Sequence, residues 1–104
     1  MKSQAIRNAA RGEACTLQIA GICNHDAETT VLAHLRIFGG GGIGLKPSDL
    51  CAAFACSRCH DYIDGRYRPL AGQVVDIDWY IARAIWRTHE RLVALGVLTV
   101  KGAK

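Results

Sequence analysis

The segment Cys56-Ser57-Arg58-Cys59-His60 gathers three side chains capable of metal or redox chemistry into five positions. A Cys-x-x-Cys-His run suits covalent haem, a redox dithiol, or half of a zinc site. Haem attachment needs export and an axial ligand opposite the histidine, and the one methionine of the chain is Met1. A thioredoxin-like dithiol follows a strand in a βαβ setting. The run Leu50 to Ala55 does read as a strand before Cys56, but no alternating strands and helices surround it. Zinc needs two more soft ligands, and Cys15 and Cys23 supply them. Their separation is wider than the usual two to four intervening residues, and His25 offers an alternative ligand beside Cys23. Cys51, inside the run "LCAAFAC", reads as a small core residue. The expectation is one structural Zn²⁺ held by Cys15, Cys23, Cys56 and Cys59.

Composition favours that use of the thiols. The opening "MKSQAIRNAARGEAC" has no apolar signal core, and no stretch approaches the ~20 apolar residues of a membrane span. A cytoplasmic protein without membrane association is expected, and five cysteines in a reducing compartment serve metal better than disulfides. With 104 residues, the chain reads as a single domain over 1–104, small enough to benefit from a metal staple. The net charge of +4 comes from its last third: residues 1–65 balance six Lys/Arg against six Asp/Glu, whereas 66–104 carry seven against three. A basic segment suits a polyanionic partner, and solubility accounts for it equally well.

The elements that position these residues follow from pattern and punctuation. Residues 3–10 suit a short helix stopped by Gly12. "TLQIA", "TTVLAHLRI" and "LCAAFA" read as strands, the last two joined by the glycine run Gly39 to Gly44. "SRCHDYID" forms a short helix ended by Gly65. A long helix runs from about 76 to 95, with Asp76 as N-cap and Gly96 past its end. It carries two apolar stripes: Ile77, Ile81, Ala84, Ile85, Leu92 and Leu95, then Trp79, Ala82, Trp86 and Val93. Arg83, Arg87 and Arg91 form a row between them. One stripe covers the core, and the other needs a partner, either the N-terminal helix or a second copy.

The order strand with His34, glycine-rich connection, strand, cysteine pair, short helix resembles the HNH, or ββα-metal, nucleases built on a zinc-stabilised treble clef, in particular their small prophage-type members. The resemblance rests on "RNAARGEAC", "GICN", "ETTVLAHLR", "GLKPSDL" and "ACSRCHDYID", and is loose beyond about residue 70. It implies an α+β domain with its core at about 13–66, and an endonuclease that hydrolyses DNA phosphodiester bonds with a divalent ion, Mg²⁺ or Mn²⁺. It also implies roles: His34 as general base, Asp49 near the family's central Asn that orients that base, and His60 with Asp64 as ligands of the catalytic metal.

The residue chemistry is compatible. Histidine titrates near neutral pH and suits a general base. His60 and Asp64, four apart on a helix, share one face and can grip one ion. Arg36 and Lys46 flank the glycine run and are candidate phosphate contacts. The sequence departs from the family at Ala33, where many members carry Asp or His for the catalytic metal. A non-catalytic zinc module that binds DNA or protein is therefore the rival expectation, and an RNA-cutting nuclease a third.

Overall fold

In the computed structural model, the structure describes residues 1–36 and 47–103. Helix α1 spans Gln4–Ala9, and the Ser3 side chain caps it by accepting from the Ile6 amide. A 3₁₀ turn at Ala27–Thr29, capped by Asp26, leads into strand β1, Val31–His34. Strand β2, Ala52–Ala55, pairs antiparallel with it, in the register Val31↔Ala55 to His34↔Ala52. Helices α2, Ser57–Ile63, and α3, Ile77–Ala94, complete an α+β fold with one two-stranded sheet and a long C-terminal helix.

Why β2 is "AAFA" follows from its position. Every residue of it is buried, with α2, α3 and β1 all packed against it. Alanine lets helices approach the sheet closely, while Phe54 alone fills the opposite layer with Ile6, Ala10 and Leu92. The larger core layer joins Leu17, Ile19, Ile22, Ala33, Leu35 and Ala84 to the cysteines. The buried core thus draws on α1 and α3 as well as on the segment between them.

The segment "TLQIA" is not a strand. Thr16 donates one strand-like bond, from its amide to the Phe54 carbonyl at 2.8 Å, and the chain then turns away through Gln18, whose φ is +45°. Thr88 of α3 takes over the rest of that edge. Its hydroxyl accepts from the Phe54 amide at 3.2 Å and lies 2.8 Å from the Thr16 hydroxyl. A β-branched pattern marked this segment as strand, but the turn required by Cys15 and Cys23 overrode it.

Helix α3 begins at Asp76, whose carboxylate accepts from the Trp79 amide, and ends at Gly96, with φ +75°. The Val97 and Leu98 amides both bond back to the Leu92 carbonyl. Ala84, Thr88 and Leu92 are buried, and Ile77, Ile81 and Ile85 pack beside them. Leu95 departs from the expected stripe and is exposed. Trp79 and Trp86 face outward, 54% and 58% exposed. The arginine row turns inward onto the loop before the sheet: Arg83 donates to the Leu17 carbonyl at 3.0 Å, Arg87 to Gln18 Oε1 at 3.2 Å, and Arg91 to Glu13 Oε1 at 2.6 Å. Its charges clamp residues 13–18 to α3. No helix is long and apolar enough to cross a membrane among the described residues.

Candidate functional site

The cysteine cluster is assembled from two turns. Between Cys15 and Cys23 the chain reverses through Gln18 and Gly21, both at positive φ, while burying Leu17 and Ile19 in the core. That excursion explains the wide spacing. Cys56 caps α2 by accepting from the Cys59 amide at 3.3 Å, which puts both sulfurs on one side of the first helical turn. The four Sγ atoms lie within 4.8 Å of one another, and those of Cys23 and Cys56 are 3.7 Å apart. Four thiolates around zinc at ~2.3 Å stand about 3.8 Å apart, so the arrangement fits a tetrahedral ion.

Backbone amides reinforce the fit. Gln18 donates to the Cys15 sulfur at 3.4 Å, Ile19 to that of Cys59, and His25 to that of Cys23. The Cys59 thiol, donating to Cys15, holds Cys15 down at about 5 against the opposing effect of burial. Burial pushes Cys23 up to about 12, and the same bond to Cys15, with burial, raises Cys59. Four crowded thiols thus share charge unequally, which a cation at their centre would relieve. His25 contributes its backbone, and its ring is not among the clustered ligand atoms. Cys51 lies apart, half-buried, donating to the Leu35 carbonyl at 3.2 Å.

The second constellation centres on Asp49, which is 2% exposed. Its Oδ1 lies 2.7 Å from His34 Nε2. Its Oδ2 accepts from the Ser3 amide at 2.6 Å and from Arg7 Nε at 3.1 Å. Burial alone raises a carboxyl pKa, but the bond to His34, the Ser3 amide and the Arg7 charge outweigh it and hold Asp49 down at about 2. An ionised carboxylate only accepts, so Nε2 of His34 carries a proton and Nδ1 is left as the ring nitrogen that can take one. Ser3 and Arg7 carried no signal in the sequence, since each meets Asp49 across more than forty residues of chain.

His60 on α2 and Asp64, its C-cap, form a second pair, 3.1 Å apart. Asp64 also takes Arg66 Nη1 at 3.1 Å, and Arg66 Nε bonds Asp61. His34 and Asp64, with Arg36, line one cavity of about 150 Å³. One member of each pair, His34 of His34–Asp49 and Asp64 of His60–Asp64, therefore lines the same hollow, together with Arg36. Lys46 and the glycine run lie outside the described residues. Ala33 is fully buried against the core. The four cysteines are the only group of three or more clustered metal-ligand side chains among the described residues.

Fold and site together define a small α+β protein that combines a cluster of four cysteines, a short two-stranded sheet and a buried histidine–carboxylate pair. A family model described as "Putative nuclease YbcO" matches residues 4–97, and the chain belongs to that family. Two curated relatives, "Putative nuclease YbcO" of Escherichia coli (strain K12) and "Putative nuclease ybcO" of Enterobacteria phage 82, are each 56% identical over 61 residues. These alignments span 59% of this chain and 64% of each relative. A solved structure described as "Structure of a putative bacteriophage protein from Escherichia coli str. K-12 substr. MG1655" superposes with a TM-score of 0.65 at 38% identity. It covers 88% of this chain and 100% of that one.

Proposed function

We propose that this protein is a metal-dependent endonuclease of the HNH, ββα-metal type, a single cytoplasmic domain on a treble-clef zinc frame that hydrolyses DNA. The observation that carries the reading is one cavity lined by both His34, hydrogen-bonded to Asp49, and Asp64, paired with His60. Membership in the family described as "Putative nuclease YbcO" supports it.

In this reading His34 Nδ1 takes a proton from the attacking water while Asp49 holds the ring through Nε2. The fixed carboxylate also faces the imidazolium as it forms. His60 and Asp64 would hold Mg²⁺ or Mn²⁺, which supplies charge to the scissile phosphate and the leaving oxygen. Two protein ligands leave most positions to water and phosphate, a pattern that suits Mg²⁺. Arg66, which pairs with Asp64 at 3.1 Å, would yield it to the ion. Arg36, which lines the cavity, and Lys46 would contact substrate phosphates. The cysteines would hold structural Zn²⁺.

A second reading has its own support. Ala33 is fully packed into the core, and no third metal-ligating side chain clusters with His60 and Asp64 among the described residues. A non-catalytic, zinc-stabilised module that binds DNA or protein would need neither. For such a module or for the nuclease, the outward Trp79–Trp86 face is the proposed contact between copies, tested by sedimentation across concentration. Plasmid nicking by wild type and His34→Ala, across Mg²⁺, Mn²⁺ and Ni²⁺ and with RNA as competitor, decides among the readings. Nicking lost with His34 supports the nuclease. A protein that binds DNA but is inert with every ion supports the module, and preferential loss of activity to RNA redirects the substrate.

A further inference from the structure

His34 also lines a second cavity, whose wall does not include Asp64. This hollow, about 340 Å³, lies between α1 and β1 and is lined by Gln4, Arg7, Asn8, Arg11, Thr30 and His34, together with apolar neighbours. Its volume falls within the ~300–1,000 Å³ of ligand sites. Two arginines line it and no carboxylate does. Arg7 uses Nε on Asp49, and the Arg11 side chain has no ion-pair partner among the described residues.

The independent observation is Thr30. It is 3% exposed, it lines this cavity, and its hydroxyl has no hydrogen-bond partner among the described residues. A buried hydroxyl without a partner costs stability, a cost that a polar ligand reaching Thr30 from this cavity would relieve. Gln4 and Asn8 add amide groups on the same rim, joined to each other by a 2.9 Å bond.

We propose that the α1/β1 cavity is a subsite for a phosphodiester of the nucleic-acid strand, next to the one held at His34. The inference rests on the nuclease reading for its neighbour, but the subsite itself needs only the anion. Arg11 supplies the free charge. The Thr30 hydroxyl donates to a non-bridging oxygen, and Arg7, already anchored on Asp49, offers its outer nitrogens. Because Arg7 touches both Asp49 and the cavity, filling the subsite also braces the carboxylate that orients His34.

The test uses Arg11→Gln and Thr30→Val on the zinc-loaded full chain. It measures DNA-duplex binding without added Mg²⁺ or Mn²⁺, steady-state cleavage with them, and thermal stability. Arg11→Gln should weaken binding several-fold and reduce the log–log salt slope by about 0.9, the signature of one lost phosphate contact. Thr30→Val, nearly isosteric, should weaken binding about tenfold and raise KM, with kcat close to wild type and thermal stability equal or higher. Amide shifts of Thr30 and Arg11 on titration with inorganic phosphate should accompany this. If both variants bind and cleave as wild type does, the subsite is wrong and the nuclease reading stands. If Thr30→Val loses stability, the hydroxyl is structural and the subsite is overturned. Binding without cleavage in wild type, still weakened in both variants, removes the nuclease reading and keeps the subsite. No DNA binding by wild type at low salt removes both.

Discussion

Asp49 Oδ1 lies 2.7 Å from His34 Nε2, and the same carboxylate is held on its other oxygen by the Ser3 amide and by Arg7. One buried side chain therefore does two separable jobs, orienting a ring and tying α1 to the segment before β2. Asp49→Asn should retain the first, because an amide oxygen still accepts from Nε2, while weakening the second by removing the charge that faces Arg7. Asp49→Ala loses both. Cleavage assays paired with thermal denaturation should show Asn less stable yet active, and Ala both unstable and reduced in rate. Equal activity in the two variants would show that Asp49 does not orient His34.

The low pKa of Asp49 makes stability depend on acid. Its folded value, about 2, lies below the ~3.9 of an unfolded aspartate, so the native state favours the ionised form. The stabilisation, on the order of 2–3 kcal/mol, is complete above about pH 4 and is lost as pH falls toward 2. Comparing wild type with Asp49→Asn isolates this from acid release of metal. The stability gap between them should narrow across that window, and a gap constant from pH 6 to 2 would contradict it.

Zinc removal should unfold the domain. Structural zinc contributes on the order of 10–16 kcal/mol of apparent binding energy in small fingers, more than a core of this size holds in reserve. Metal analysis should find one zinc per chain, lost on replacing Cys59, whose sulfur is fully buried in the cluster. Full thermal stability in metal-free protein would refute the site.

His34→Ala and His60→Ala should fail differently. Losing a general base costs about 10²–10⁴-fold, with no rescue by metal. Losing His60 weakens the hold on a divalent ion, so excess Mn²⁺ should restore part of the rate. Rescue of His34→Ala by Mn²⁺ would exchange their roles.

Thr88→Val keeps the shape of α3 but leaves the Phe54 amide without its acceptor at the buried edge of β2. The expected cost is about 1–3 kcal/mol, roughly 4–20 °C in midpoint for a domain of this size. An unchanged midpoint would mean that the edge finds another partner.

Much of the site was legible in residue types and local spacing. The Cys-x-x-Cys turn, the i,i+4 pair His60 and Asp64, the capped helix from Asp76 to Gly96 and the two central strands all depend on interactions within a few residues, which a linear pattern records. The strand expected at "TLQIA" failed for a related reason: its β-branched residues promote extension, but bringing Cys15 and Cys23 to the sulfur cluster required a turn at Gln18. Other relationships were decided only by tertiary packing. Arg7 and Ser3 reach Asp49, Thr88 reaches the open edge of β2, and the arginine row reaches the loop at 13–18, each across a separation at which chain order carries no distance. Contacts across the fold then set the chemistry. An aspartate identical in sequence would be an ordinary solvated acid on the surface; here burial alone would raise its pKa, and the bond to His34 on β1, with the Ser3 amide and Arg7 at α1, outweighs it and holds it at about 2.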